Sequence, residues 1–177
     1  VWIAARAPIT YDYAVREKCH VNCWPLTRPF AEAELYMQQL NEAIVKADNG
    51  WIPRFALMRH ACLYDNQADR QEGLNAIRRL LSQFENLFRN SGDVVNGFPA
   101  SLPLDELEGR EQYDPAMLEE NLMFGSPDTV IQKLKKYQAL GVNEFIYYAS
   151  MGLSHDAQKR SLWMFCKEVM PEFREAS

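Results

Sequence analysis

Few residues in this chain are of types that do chemistry, and most stand where a strand should end or a helix begin. Arg59 and His60 are the oddest pair, because they interrupt the apolar run PRFALMRHACLY. Alternation along a strand sends neighbouring side chains to opposite faces. One of the two should therefore face the inside of the sheet and the other its covering helices. A buried arginine must be paired, so an inward Arg59 would serve an anion or a carboxylate. The ordinary account of His60 is a neutral, hydrogen-bonded core histidine. A second group lies in the turn Arg6-Ala7-Pro8-Ile9-Thr10. Amides at a helix start are unpaired and carry partial positive charge, which suits them to phosphate. Ala7 to Thr10 supply such amides, Pro8 excepted, and Thr10 adds a hydroxyl; an ordinary helix cap is the competing account of Thr10. Trp24 ends one apolar run and fits either a ligand wall or simple core. Tyr147, Tyr148 and Ser150 close another, and Tyr148 and Ser150 are candidates for lining a pocket there.

Other chemistries find little support. Cys19, Cys23, Cys62 and Cys166 follow no disulfide or zinc spacing, so they read as buried free thiols and no metal site is expected. No Ser/His/Asp set at nucleophile spacing occurs, and no glycine loop opens a helix to cradle phosphate. A formal charge of −5 and a pI near 5.3 argue against nucleic acid or an acidic membrane as the main partner. No apolar run approaches the ~18 residues of a membrane helix. The composition is that of a cytoplasmic enzyme.

The elements that must position these residues alternate strand and helix. Gly125-Ser126-Pro127 places a capping hydroxyl before a proline at the first helical position. Val130, Ile131, Leu134, Tyr137 and Leu140 follow at helical spacing, and Gly141 stops the run. The predicted strands are Val1–Ala5, His20–Trp24, Arg54–Tyr64 and Asn143–Ala149. Their apolar runs suit a parallel sheet covered by helices. Helices are predicted over Ile9–Lys18, Phe30–Ala47, Asp69–Asn90, Pro127–Leu140 and Ser154–Glu172. Phe30, Ala33, Met37, Leu40 and Ile44 form one apolar stripe, and Leu74, Ile77, Leu81, Phe84 and Phe88 another. From Ser91 to Met123 glycines and prolines break every pattern, so residues 91–123 are expected to form an irregular insertion outside the core, a lid by preference.

Two blocks carry a resemblance. VWIAARAPITYDYAV is similar to the fifth strand and following turn of bacterial luciferase-like monooxygenases, and GSPDTVIQKL…LGVNEFIYY…SLWMFCKEVMP to their last strand and closing helix. The resemblance runs over most of the chain and is weakest between Asn90 and Asn121. It implies a (β/α)8 barrel, which needs about 250 residues. At 177 residues and four strands, the chain reads as the C-terminal half of such a barrel, with residues 1–177 one half-barrel unit. Such a half has two apolar edges and is expected to associate. Its partner would be an N-terminal half-barrel, in the same polypeptide or a separate chain, or a second copy.

The resemblance also implies a cofactor. In that family the turn at Ala7–Thr10 holds the phosphate of flavin mononucleotide, FMN, and Thr10 falls on a matching threonine. Ala7 replaces a frequent serine or aspartate, Arg6 replaces a glutamate beside the flavin, and Lys18 stands where glycine is usual. The implied cofactor set is Arg6, Ala7, Thr10 and Trp24, with Arg59, His60, Tyr148 and Ser150 as pocket candidates. Catalytic groups come from the family's first strands and are not assigned here. The implied activity is oxygenation of an organic substrate with reduced FMN and O2, with a flavin reductase as supplier. The alternatives are a deazaflavin (F420) oxidoreductase of the same superfamily and a non-catalytic flavin-binding or structural half-barrel.

Overall fold

Every strand of the main sheet is followed by a helix, the pattern that parallel pairing requires. The computed structural model describes residues 1–89 and 93–173. The chain runs β1 (Trp2–Ala4), α1 (Pro8–Arg16), β2 (His20–Cys23), α2 (Phe30–Ala47), β3 (Phe55–Leu63) and α3 (Gln67–Arg89). A hairpin of β4 (Val94–Val95) and β5 (Phe98–Pro99) and two 3-10 turns, Asp105–Leu107 and Glu111–Tyr113, come next. Then follow α4 (Pro115–Asn121), β6 (Met123–Gly125), α5 (Pro127–Leu140), β7 (Glu144–Tyr148) and α6 (His155–Met164). The predicted last helix keeps α geometry only to Met164; a π turn over Phe165–Val169 and a 3-10 turn to Phe173 replace the rest.

Two units divide the chain, the first being Val1–His60 with Ile131–Tyr148. Within it β1, β2, β3 and β7 pair in sequential order and all in parallel, through Ile3↔Val21, Val21↔Phe55 and Leu57↔Phe145. The α/β class and the four predicted parallel strands appear in sequential order, but β6 is a fifth parallel strand of the sheet that the sequence does not predict. Register puts Ile3, Val21, Phe55, Leu57 and Arg59 on one face, and Arg59 there reaches Tyr137 of α5. This is the helix-facing side. The apolar run of each strand leaves Ile3, Val21, Leu57 and Ile146 all eligible for the inner face. Only Ile146 belongs there, in line with Asn22, Ala56, Met58, His60 and Tyr148. Both faces of the strands are apolar, so composition carried no sign of which was which. Lys18 adopts the left-handed conformation at φ 54°, which explains why a glycine suits its position.

The second unit comprises Ala61–Val130 and Ala149–Ser177. The end of β3 pairs there with β6, Ala61↔Met123 to Leu63↔Gly125. Its core gathers Cys62, Leu74, Ile77, Phe124 and Met151 with Leu118 and Leu122. The last two correct the expectation that the 91–123 segment stays outside the core. Leu107 and Tyr113 are also buried. Polar clasps hold the segment to α3. Glu119 takes Arg70 at 2.6 and 2.7 Å and the Tyr64 hydroxyl at 2.5 Å. Glu85 takes Arg110 at 3.0 Å and the Tyr113 hydroxyl. Asn86 donates to the carbonyls of Asp93 and Ala100, which bracket the hairpin. The free-thiol expectation holds for all four cysteines, but Cys166 is exposed, because the π turn rotates it outward from the buried Phe165 and Val169.

Candidate functional site

Three rings from three strand ends meet on the inner face of the first unit. Trp24 follows β2, His60 lies in β3 and Tyr148 closes β7. The His60 and Tyr148 rings stack with centroids 4.5 Å apart at 20°. Trp24 turns its ring edgewise to both, at 5.6 Å from His60 and 5.3 Å from Tyr148. His60 is 1 % exposed, and burial pushes its imidazole down to about 4, with the Tyr148 backbone acting in the opposite direction. It is therefore neutral at ordinary pH. The imidazole is hydrogen-bonded to the Tyr148 backbone, as expected of a neutral core histidine, while its buried Nδ1 finds no partner among the described residues.

Arg59 does not face inward. It lies on the helix side and is 0 % exposed, and its partners are carbonyls and a hydroxyl rather than a carboxylate. Its guanidinium donates to the carbonyls of Leu26 at 3.1 Å and Arg28 at 2.8 Å and to the Tyr137 hydroxyl at 2.9 Å. It also sits over the Tyr137 ring, 5.7 Å from the centroid. Nearby Cys23 is pushed up to about 12 by burial, against the pull of Arg59, so it is an inert thiol.

The turn after β1 is a separate place on the same unit. Ala7 is the N-cap of α1 without a side-chain cap, and Pro8 opens the helix. Thr10 is therefore not the cap. Its amide donates to the Ala7 carbonyl at 2.9 Å, which leaves the amides of Ala7 and Ile9 for an anion, fewer than the sequence suggested. Arg6, Ala7 and Ile9 are exposed, Thr10 is half-buried, and the first turn of α1 has no acidic residue. Sequence reasoning missed what holds Arg6. Its guanidinium hydrogen-bonds the Tyr36 phenol, which donates to Glu32 at 2.8 Å. Burial, then Glu32, pushes that phenol up to about 12. Tyr36 and Glu32 lie four apart on α2, but nothing local ties them to Arg6. Ser150 belongs to the second unit and is exposed. Among the described residues no cluster of three or more His, Cys, Asp or Glu is placed to hold a metal, and no helix is long and apolar enough to cross a membrane.

A sheet of parallel strands, each followed by a helix, defines the chain as an α/β protein. The family model for luciferase-like monooxygenases matches residues 1–144, and the chain belongs to that family. It is 31% identical over 176 residues to the oxygenase component of a flavin-dependent trigonelline monooxygenase from Acinetobacter baylyi, covering 99% of this chain and 49% of that protein. Among solved structures it resembles the oxygenating constituent of 3,6-diketocamphane monooxygenase from Pseudomonas putida in complex with FMN. The TM-score there is 0.63 at 16% identity, over 99% of this chain and 49% of the other. An F420-dependent secondary alcohol dehydrogenase, solved with an F420–acetone adduct, gives a TM-score of 0.61 at 14% identity, over 98% and 48% of the two chains. The chain thus spans about half the length of the relatives it matches.

Proposed function

We propose that this chain is the C-terminal half-barrel of a flavin-dependent monooxygenase, which with reduced FMN and O2 oxygenates an organic substrate. Membership of the luciferase-like family supports the reaction class, and the Trp24–His60–Tyr148 cluster at the strand ends is the observation that carries the site. The flavin supplies the oxygen-activating chemistry. The chain's own part is to bind and orient. The Ala7 and Ile9 amides, the Thr10 hydroxyl and the Arg6 guanidinium fit a phosphate, since they are accessible and free of acidic neighbours in the first turn. Trp24 and Tyr148 offer a dry wall for a planar ring or an organic substrate, and a neutral His60 adds no charge to it. Residues 93–123 are proposed to be held in place rather than to swing, because the clasps of Glu119, Glu85 and Asn86 tie them to α3.

The other half-barrel completes the sheet, a flavin reductase supplies reduced flavin, and the setting is the cytoplasm. An F420-dependent oxidoreductase is the second reading, favoured by the near-equal structural likeness to such an enzyme. Titration of the complete protein with FMN and with F420 decides between them. Thr10→Ala should weaken FMN binding by about 1 kcal/mol, and the bulkier acid of Ala7→Glu should weaken it more. Unchanged FMN affinity in both variants would remove the phosphate site.

A further inference from the structure

The geometry points to Arg59 as a positioning residue that presets the loop carrying Trp24, and so fixes the wall against which the organic substrate binds. This deepens the proposed function and rests on it. A fully buried guanidinium without a carboxylate needs a reason, because burying a charge is costly unless other groups solvate it. Here the solvating groups are chosen narrowly. Two are carbonyls of one short loop, Leu26 and Arg28, and the third is the Tyr137 hydroxyl on α5. That loop is a turn closed by the Arg28 amide on the Pro25 carbonyl at 2.9 Å. Its second residue, Leu26, stands at φ 53°, a conformation that a leucine adopts only when its surroundings insist.

Trp24 stands immediately before this turn. Its indole is met by His60, the next residue after Arg59 on the same strand. Neighbouring residues of β3 thus grip one loop from the two faces of the sheet. Arg59 holds its carbonyls on the helix side, and His60 holds its indole on the inner side. Tyr137 extends the grip by packing on Phe30, the first residue of α2, with centroids 5.0 Å apart. A planar fork reaches two carbonyls and a hydroxyl at once, which a lysine's point charge on a flexible stem does not reproduce.

The test uses the complete protein with Arg59→Met, Arg59→Lys and Tyr137→Phe. Amide hydrogen exchange over residues 24–30 should quicken by about tenfold or more in Arg59→Met and by less in Tyr137→Phe, with α1 unchanged. The substrate KM should rise by roughly tenfold in Arg59→Met. Arg59→Lys should restore neither quantity. Wild-type exchange over 24–30 in a folded Arg59→Met overturns the inference, and so does a loosened loop with an unchanged substrate KM. Should Arg59→Met not fold, Tyr137→Phe decides, and wild-type exchange and KM in that variant overturn it. A wild-type protein that binds no flavin sinks the previous reading instead, and the exchange arm then decides whether Arg59 sets the loop.

Discussion

The two units handle buried polarity in opposite ways. In the first, Arg59 and His60 sit side by side in one strand and neither meets a carboxylate: carbonyls and a phenol solvate one, aromatic rings enclose the other. In the second, three buried or half-buried carboxylates pair with arginines, Asp69 with Arg160, Glu119 with Arg70 and Glu85 with Arg110, while half-buried Glu72 accepts the Ser154 amide. The difference teaches where acid should act first. A neutral buried histidine resists protonation, whereas a carboxylate paired with arginine keeps its charge to lower pH.

The largest predicted effect follows from that contrast. The His60 value is lowered to about 4 in the fold from 6.5, so protonation favours the unfolded chain. Its stabilising contribution is complete above pH 6.5 and is lost as pH falls toward 4, by roughly 3 kcal/mol. Asp69 has the same sign and a lower window, because its hydrogen bonds to Arg160 hold it below 3.8. Segment-resolved exchange between pH 7 and pH 4.5 should therefore show β3 and β7 of the first unit weakening before α3 and α6. His60→Phe, which keeps a ring on Tyr148, should flatten the profile in this window. An unaltered profile in the variant would break the comparison.

Particular residues show how much of this was legible. The helices Phe30–Ala47 and Pro127–Leu140 appear with the predicted bounds, because caps and apolar spacing are local signals. The strands were legible as strands but not as faces. Tyr137 was counted into an apolar stripe, and its ring is buried; its hydroxyl matters through Arg59, 78 residues away in sequence. The Tyr36–Arg6 contact and the clasps of Glu85 and Glu119 are likewise long-range pairings that no local pattern announces. The candidate site was thus read as a list of residues. Its division into an aromatic wall and a buried clamp came only with the fold.

Smaller effects probe the second unit. Ser161 is 1 % exposed, and its Oγ accepts from the Leu63 amide at 2.7 Å, joining α6 to the end of β3. Ser161→Ala leaves a buried backbone donor without that acceptor and should cost about 2 kcal/mol in chemical denaturation. A loss under ~0.5 kcal/mol would mean that another acceptor takes over. Glu119→Gln keeps shape but removes the charge and leaves one acceptor oxygen where two took Arg70, so the bidentate contact loses a bond. About 1 kcal/mol is expected, shrinking with added salt, since Arg70 is about a third exposed (32%).

The smallest net effect is a change of sign at Gly73, where α3 approaches the end of β3. A Cβ built there would lie 2.7 Å from Cys62 Sγ, closer than real atoms allow, and 3.6 Å from the Phe124 ring. Gly73 has an ordinary helical φ, so sterics alone exclude alanine. Replacing glycine by alanine inside a helix normally gains about 1 kcal/mol. Overpacking of a filled core costs about 1–3 kcal/mol. Gly73→Ala alone should therefore be destabilising by a net ~1 kcal/mol. In a Cys62→Ala background the offending sulfur is gone, and the same substitution should stabilise by up to ~1 kcal/mol relative to that background. Denaturant midpoints of the four proteins in this cycle read the coupling directly. Equal effects of Gly73→Ala in both backgrounds would show that the helix, not the Cys62 contact, sets the cost, and would remove close approach at Gly73 as the reason for a glycine there.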